Sequence, residues 1–471
     1  MLTGRVSQKP IYHLSLVLNK MKNPGKIFII LFAFILLSSL VLLNYFPLVI
    51  FWLLALASVL IILSFYPDWG IYLTAFSLPF INWNISISSV QFSVAEAITL
   101  LALLAWLINY LISKEKKSWS WPLVLPFGAF VLVGILSAFL NPYIMPALYY
   151  QLRWVIFLYA AYIFYPTNVI RDGTVLRKTL IALLSSVLLM TIFGLASLLF
   201  QDWSNSFLRV QPMAIFGLFP YGYNHNLLAE FLVVGAFIPL ALKYWFDGRR
   251  FARVAHVLSA FIVITALATF SRAAWLSLFV AGVAWVIVLW RSGKLKEETS
   301  RRLVAGMVLT VLILTPLFYK MSDLQAVNTS STDSRLFLSQ IAWKSFTEKP
   351  LLGHGPGNFI SLVGDNVRFQ AKYGEPLDSH GIWQKIIAEL GFLGFISFSA
   401  LLFVIFRKIY KGLLEYQVAD KLLYPLAASA LAVLFFQFFN TSYYKGKMWL
   451  PLILPLIAIS LLAQKKYAKR K

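Results

Sequence analysis

The sequence contains no cysteine among its 471 residues and only five histidines. The lack of cysteine excludes disulfide bonds, thiolate nucleophiles and cysteine metal sites. Five histidines do not easily form a multi-histidine metal centre. The sequence also lacks the phosphate-binding loop, the dinucleotide fingerprint and the HExxH motif. These absences disfavour a nucleotide-driven pump and a metalloprotease, and we expect no cofactor and no metal.

Charged residues are also scarce. They make up 13% of the chain, and hydrophobic residues make up 60%. Soluble proteins usually carry about 25% charged residues. An aromatic content of 16% excludes a disordered chain, because such a chain would collapse in water. The composition therefore predicts an all-α polytopic integral membrane protein.

Apolar runs long enough to cross a bilayer follow one another along the chain. A transmembrane helix needs roughly 20 mostly apolar residues, and this criterion predicts roughly 12–14 transmembrane helices. The run at 69–81 is short and suits a tilted or half-inserted helix. The predicted spans are 27–44, 46–66, 69–81, 94–112, 121–140, 145–165, 176–200, 226–246, 252–270, 273–290, 303–319, 384–406, 423–440 and 448–463.

The distribution of positive charge predicts the orientation of these spans. The formal net charge is +23, from 41 Lys and Arg against 18 Asp and Glu. Most of the basic residues fall in the two tails and in alternate short loops, which places both termini in the cytoplasm. We therefore expect the positive charge to face anionic lipid of the inner leaflet rather than nucleic acid.

One connection is far longer than the other turns. Its aliphatic and aromatic content predicts an ordered segment, with a helix from Ser334 to Glu348 that is capped by Thr332 and Asp333 and ended by Pro350. The chain then divides into a basic cytoplasmic tail at 1–26, transmembrane helices over 27–319, a long external loop at 320–383, the last three transmembrane helices over 384–463, and a second basic tail at 464–471.

Three arginines lie at the predicted outer ends of spans or in the external loop: Arg153, Arg272 and Arg335. Ionisable groups in such places are costly and are candidates for function. The alternative for Arg153 and Arg272 is a snorkelling side chain or one that caps carbonyls. For Arg335 it is an ordinary solvated charge. Paired arginines at a membrane surface suit a diphosphate, which they bind through bidentate hydrogen bonds.

His380 lies where the long loop re-enters the membrane. A histidine at such a boundary can titrate near neutral pH and act as a general base. The alternative is a polar cap at a helix N-terminus. Helical spacing places Gln384 on the same face, and Gly391 and Gly394 allow a bend or a close helix contact.

Two further histidines are candidates for substrate binding. His354 lies in a glycine-rich turn whose backbone amides can bind anions, although a tight turn needs the glycines in any case. His225 lies at the predicted external end of a span, where a structural cap is the more ordinary role.

Four local patterns occur in a fixed order. They are Asn224–Ala229, then Phe270–Trp275, then Ser334–Arg335 with Pro350–Phe359, and last Ser379–His380 with Glu389–Gly394. With the long loop three spans before the C-terminus, the chain resembles the O-antigen ligase and polymerase superfamily of bacterial membrane glycosyltransferases.

The resemblance implies a C-type glycosyltransferase fold in the bacterial inner membrane, with the active site on the outer face. The donor would be an undecaprenyl-diphosphate-linked glycan. A ligase would transfer it to lipid A–core of lipopolysaccharide or to another cell-surface acceptor, and a polymerase would join it to a second lipid-linked repeat unit. The ligase and the polymerase functions both stay open here, and we favour the ligase.

The resemblance also assigns roles within the site. Arg272 and Arg335 would hold the donor diphosphate, and Arg153 is a further candidate for that role. His380 would take the proton from the acceptor hydroxyl, with inversion at the anomeric carbon and without a metal. One departure is Gly381, since Asn often follows the histidine in the family. Fourteen spans would also exceed the twelve or so that ligases often have.

Two other classes of function are possible. A flippase for the same lipid would often show two similar halves with charges near the middle of the membrane. No such repeat is present, and the polar candidates cluster at one face. A scaffold or sensor would use the long loop to bind a partner, but it would leave the three arginines and His380 unexplained.

Overall fold

The computed structural model describes residues 48–87, 90–113, 118–141, 144–201, 208–215, 217–246, 248–322 and 327–468. The predicted span 27–44 and the tail 1–26 lie outside the described residues. The structure is 79% helical, which confirms the predicted all-α membrane fold.

The first part of the chain is helical except for one hairpin. Its α-helices are α1 (Leu48–Phe65), α2 (Pro67–Ser77), α3 (Val94–Ile112), α4 (Val124–Phe139), α5 (Ile144–Tyr150), α6 (Phe157–Tyr159), α7 (Tyr165–Val169) and α8 (Gly173–Ala196). The 3-10 turns Leu78–Asn82 and Ser197–Phe200 follow α2 and α8, and the π-helical turns Gln151–Ile156 and Ala160–Phe164 lie between α5, α6 and α7.

The second part continues with helices of very different length. They are α9 (His225–Gly235), α10 (Ile238–Leu242), α11 (Arg249–Ala268), α12 (Arg272–Arg291), α13 (Glu297–Ser322), α14 (Val327–Glu348), α15 (Phe359–Gly364), α16 (Val367–Tyr373), α17 (Ile382–Glu415), α18 (Asp420–Phe436) and α19 (Gly446–Ala468). A 3-10 turn, Gln417–Ala419, precedes α18.

Seven helices of the described chain are long and apolar enough to cross a membrane, which makes this a multi-pass membrane protein. This number is lower than predicted, because several predicted spans form helices that are too short, bent or interrupted. The seven are Val94–Ile112, Gly173–Phe200, His225–Leu242, Arg249–Ala268, Arg272–Arg291, Ile382–Glu415 and Gly446–Ala468.

The predicted spans 46–66 and 69–81 form one bent pair instead of two separate spans. The two helical parts meet at an angle of 116°. The break falls between Tyr66 and Pro67, where proline takes the first position of α2. Proline cannot donate the backbone hydrogen bond that a continuous helix needs, so a new helix begins there.

Other predicted spans are present as helices that do not meet the criterion. The runs 121–140 and 423–440 give apolar helices of only 10–17 residues. Two π-helical turns interrupt the run 145–165, and the run 303–319 lies inside α13, which begins with two glutamates.

A short hairpin precedes α3 and was not predicted. Strand β1 (Asn84–Ile87) pairs antiparallel with β2 (Val90–Ser93), and Asn84 lies opposite Ser93. Ser93 then caps α3 in a reciprocal capping box with Glu96. This box fixes the Glu96 carboxylate at the start of the helix.

The long loop contains helices with a small core of their own. Helix α14 ends at Glu348 as predicted, but it begins at Val327, so Thr332 and Asp333 lie inside the helix rather than at its cap. Helices α14, α15 and α16 share a buried cluster that also contacts α17. This cluster consists of Leu338, Ile341, Ala342, Phe359, Val363, Phe369 and Ala388.

Candidate active site

Arg272 is the first residue of α12 and follows a tight turn. Phe270 has a φ of 54°, which is unusual for a residue that is not glycine. The Ser271 hydroxyl accepts a hydrogen bond from the Ala274 amide at 3.4 Å and donates one to Asn226 Oδ1 at 2.7 Å. The turn between α11 and α12 is therefore joined to the start of α9.

His225 is the first residue of α9, next to this joint. The Asn224 side chain caps the helix by accepting from the Asn226 amide at 2.9 Å. The predicted end of the span near His225 is thus present, and Asn224 performs the capping. The His225 ring does not cap the helix, and it lies close to the turn that carries Arg272.

Arg335 lies near the middle of α14 and is half-buried. Burial, together with the positive charge of Arg272, lowers the pKa of the Arg335 guanidinium. Its Nε atom is buried and forms no hydrogen bond within the described residues. Two guanidinium groups held together, partly out of water, favour the binding of an anion between them.

His380 lies two residues before the first residue of α17, and the charge of Arg335 acts on it. The Thr441 hydroxyl donates to the Ser379 carbonyl, and the Ser379 hydroxyl donates to the Gly381 carbonyl at 2.8 Å, so the backbone on both sides of His380 is fixed. Burial and the charge of Arg335 lower the pKa of His380 to about 4, against the opposing effect of Asp378. At neutral pH the imidazole is uncharged and can accept a proton.

Gln384 lies one turn into α17 and joins this helix to α14. Its Nε2 atom donates to the Ser339 hydroxyl at 2.6 Å, and that hydroxyl donates to the Arg335 carbonyl at 2.8 Å. The Gln384 Oε1 atom is buried without a hydrogen-bond partner in the part of the chain that the structure describes. Gln384 thus joins the start of α17 to the turn of α14 that carries Arg335.

Arg209 is a further member of this cluster that sequence reasoning did not select. The Gln201 side chain binds its backbone twice, with Nε2 2.7 Å from the Arg209 carbonyl and Oε1 3.3 Å from its amide. The positive charges of Arg209 and Arg335 both act on His225. An arginine in a predicted outer loop, against the usual bias of basic residues, was the available signal.

Arg153 lies in a different setting from the other predicted arginines. Its guanidinium forms an ion pair with Glu96 Oε2 at 3.1 Å, and both side chains are buried. It also stacks on the rings of Phe92 and Trp154, with centroids at 4.4 and 4.3 Å. The capping box of α3 holds the carboxylate that neutralises this arginine.

The glycine-rich turn around His354 packs against a break in α17. Gly391 has a φ of 62° inside this helix, which confirms the predicted bend. The amides of Phe392 and Leu393 donate to the carbonyls of Pro350 and Leu351, at 2.8 and 3.1 Å. In return, the amides of His354 and Gly355 donate to the carbonyls of Ala388 and Glu389, at 3.0 and 2.8 Å.

These bonds give the His354 turn a structural role. The His354 ring lies 3.0 Å from the Ser345 carbonyl oxygen, and the Phe359 amide donates to Glu389 Oε1 at 3.0 Å. The anion that the amides of this turn bind is therefore a side chain of the protein itself. His354 lies in the support of the site, whereas His225, Arg272, Arg335, His380 and Gln384 form the cluster.

A buried charge network holds the residues before His380. Lys385 Nζ lies 2.6 Å from Asp378 Oδ1 and 3.3 Å from Glu389 Oε1, and the Tyr443 hydroxyl donates to Glu389 Oε2 at 3.2 Å. Sequence reasoning missed this network, although Lys385 and Glu389 stand four residues apart within an apolar span. Such pairs inside a membrane helix usually mark structural or functional sites.

Comparison with known families identifies the part of the chain that carries this geometry. Residues 257–399 match the family model described as O-antigen ligase. This segment is therefore similar to an O-antigen ligase domain. It contains Arg272, Arg335, His380 and Gln384, and it matches the superfamily that the sequence patterns predicted. No match was found among curated proteins.

The O-antigen ligase domain does not contain every residue of the cluster. Arg209 and His225 precede it, and Thr441 and Tyr443, which support the His380 loop and Glu389, follow it. The domain indicates a glycosyltransferase-like enzyme that acts on lipid-linked glycan and an acceptor. The residues on both sides complete its site.

Proposed function

We propose that this chain transfers a glycan from an undecaprenyl-diphosphate donor to an acceptor hydroxyl, as an O-antigen ligase. The acceptor is lipid A–core or another cell-surface molecule, and the reaction takes place at the outer face of the inner membrane, with both termini of the chain in the cytoplasm. The observation that carries the proposal is that Arg335 interacts electrostatically with both Arg272 and His380. Its charge acts on both a second guanidinium and a neutral histidine.

In the proposed reaction, Arg272 and Arg335 hold the donor diphosphate. The acceptor hydroxyl oxygen forms a bond to the anomeric carbon, and its proton passes to the His380 imidazole. The bond between the anomeric carbon and the phosphate oxygen breaks, and its electron pair leaves with undecaprenyl diphosphate. Attack from the face opposite the leaving group inverts the anomeric carbon.

The neighbouring arginine adjusts the basicity of His380 during this cycle. Without substrate, burial and the charge of Arg335 keep the pKa of His380 low. A bound diphosphate offsets that charge, so the imidazole becomes a better base when donor is in place. Donor binding and proton acceptance are thereby coupled.

The other candidates support this chemistry. Gln384 and His225 line the cluster and serve as substrate contacts. Arg153, paired with Glu96, is a more distant diphosphate contact, and His354 acts through the turn that braces α17.

The first test is a gel profile of lipid-linked and finished glycan from a deletion strain beside the wild type. We expect long lipid-linked polymers to accumulate, with no glycan on the acceptor. Accumulation of single lipid-linked repeat units would replace the ligase with a polymerase. Accumulation of donor on the inner leaflet alone would instead support a flippase.

A second prediction concerns metal ions. The cationic cluster of Arg209, Arg272 and Arg335 repels a divalent cation and itself neutralises the leaving diphosphate. We therefore expect EDTA to leave the transfer rate of the purified protein unchanged. The control is the same assay with added Mg²⁺ or Mn²⁺, and inhibition by EDTA that either ion reverses would contradict the proposal.

A further inference from the structure

The backbone of Arg209 is fixed from two sides. The Gln201 side chain binds it, and the amide of the next residue, Val210, donates to the Ala268 carbonyl at 2.9 Å. Val210 is fully buried, and Ala268 is the last residue of α11, just before the turn that carries Arg272. Arg209 is therefore held beside that turn, although 63 positions separate the two arginines along the sequence.

The charge of Arg209 acts on the same histidine as the charge of Arg335. Both charges act on His225, and Arg272 acts on Arg335. Electrostatic effects of this kind weaken with distance and with exposure to water. Arg209 and Arg335 are consequently both near His225, and Arg335 is also near Arg272 and His380.

Gathering these charges carries an energetic cost in the absence of substrate. Burial lowers the pKa of Arg209 and also that of Arg335. Like charges in a partly desolvated site repel one another, and an anion with several charges offsets this repulsion. Each guanidinium has several N–H donors, so Arg209 can keep a protein partner and still bind a phosphate oxygen.

We propose that Arg209 is a third ligand of the donor diphosphate and takes up the charge that the leaving group gains during transfer. This inference rests on the proposed function and extends it to a residue outside the O-antigen ligase domain. Arg272 and Arg335 balance the two negative charges of the bound diphosphate diester. Arg209 balances the third negative charge, which the diphosphate gains when it leaves.

The charge balance of the reaction explains why a third arginine is useful. The donor carries one negative charge on each phosphate. When the bond to the anomeric carbon breaks, its electron pair remains on the terminal phosphate oxygen, and undecaprenyl diphosphate leaves with one charge more. The acceptor proton moves to His380 rather than to this oxygen, so a cation at the diphosphate stabilises the charge as it forms.

The test measures binding of undecaprenyl diphosphate and undecaprenyl monophosphate to the purified full-length protein. We expect Arg209→Ala to weaken binding of the diphosphate by about tenfold or more, because a charge-assisted hydrogen bond contributes at least that much. Binding of the monophosphate should change far less. Arg209→Lys keeps the charge without the planar fork, and it should fall between the wild type and Arg209→Ala.

Two further variants make the result specific. Arg368→Ala removes an exposed arginine from α16, and it should bind both lipids as the wild type does. Gln201→Ala releases the Arg209 backbone, so it should weaken diphosphate binding, although less than Arg209→Ala does. The two variants should have similar unfolding midpoints, so that the difference in binding does not reflect a difference in stability.

The outcomes separate this inference from the proposed function. If Arg209→Ala binds the diphosphate as tightly as the wild type while Arg335→Ala does not, Arg209 is not a ligand and the proposed function stands. If the wild type does not distinguish the diphosphate from the monophosphate, both are overturned. Arg209→Lys supplies the same comparison if Arg209→Ala cannot be purified in folded form.

Discussion

Replacement of Arg335 by alanine should abolish glycan transfer while the protein still accumulates in the membrane. Arg335 lies on α14, in the long loop, so its loss removes no packing between the membrane-spanning helices. It does remove the charge near Arg272 and His380 that we assign to the donor diphosphate. The expected loss in turnover is at least about 100-fold, the usual cost of removing one electrostatic donor from an active site.

The measurement is transfer by purified protein, normalised to its amount in the membrane. Arg368→Ala is the matched control, because it removes an exposed arginine from the same segment. Arg335→Lys should recover only part of the activity, since an ammonium group cannot bind a phosphate through two parallel hydrogen bonds. Normal transfer by Arg335→Ala would remove this residue from the site.

Replacement of His380 by alanine should lower turnover by about 10²–10⁴-fold, the range expected when a general base is lost. Donor binding should be nearly unchanged, because Arg272 and Arg335 remain. His256→Ala is the control, since His256 is exposed on α11. If His380→Gln retains most of the activity, His380 positions the acceptor and does not take its proton.

The pH dependence of kcat/KM is a second test of the role of His380. The pKa of His380 is lowered to about 4, so the neutral, proton-accepting form persists as the pH falls from 8 to 5. The acid limb of kcat/KM should therefore lie near pH 4, rather than near the ordinary histidine value of about 6.5. Arg335→Gln removes a positive charge beside His380 and should move any residual acid limb to higher pH.

The sequence was sufficient to predict the class of fold, whereas the centre of the site stays a prediction. Composition alone indicated a helical membrane protein, because little else accommodates so few charges. The cluster of Arg272, Arg335 and His380 was predicted from short patterns and from the resemblance that they carry; Arg272 and His380 stand at helix starts, whereas Arg335 lies inside α14. Gly391 was also a sound prediction, because glycine in a membrane helix often marks a bend.

Other features depend on contacts between residues that are distant in the sequence. Nothing near Arg153 reveals that Glu96 neutralises it, because the two stand 57 positions apart. Arg209 is similar, since its place in the site follows from bonds to Gln201 and from the pairing of Val210 with Ala268. Fewer helices of the described chain meet the criterion for a span than the sequence predicted, because hydropathy does not detect the break at Pro67 or the two π-helical turns.

The break at Gly391 divides α17 into two parts. Backbone amides and carbonyls that the break leaves without partners in the helix form hydrogen bonds with residues 350–355, so α17 is joined to the long loop on both sides of Gly391. For the construction of chimaeras with related enzymes, the natural unit of exchange is then 327–393, which carries Arg335 and His380 together with both sides of the break. A junction placed at the membrane boundary near residue 382 would cut through that unit and separate the base from the helix that positions it.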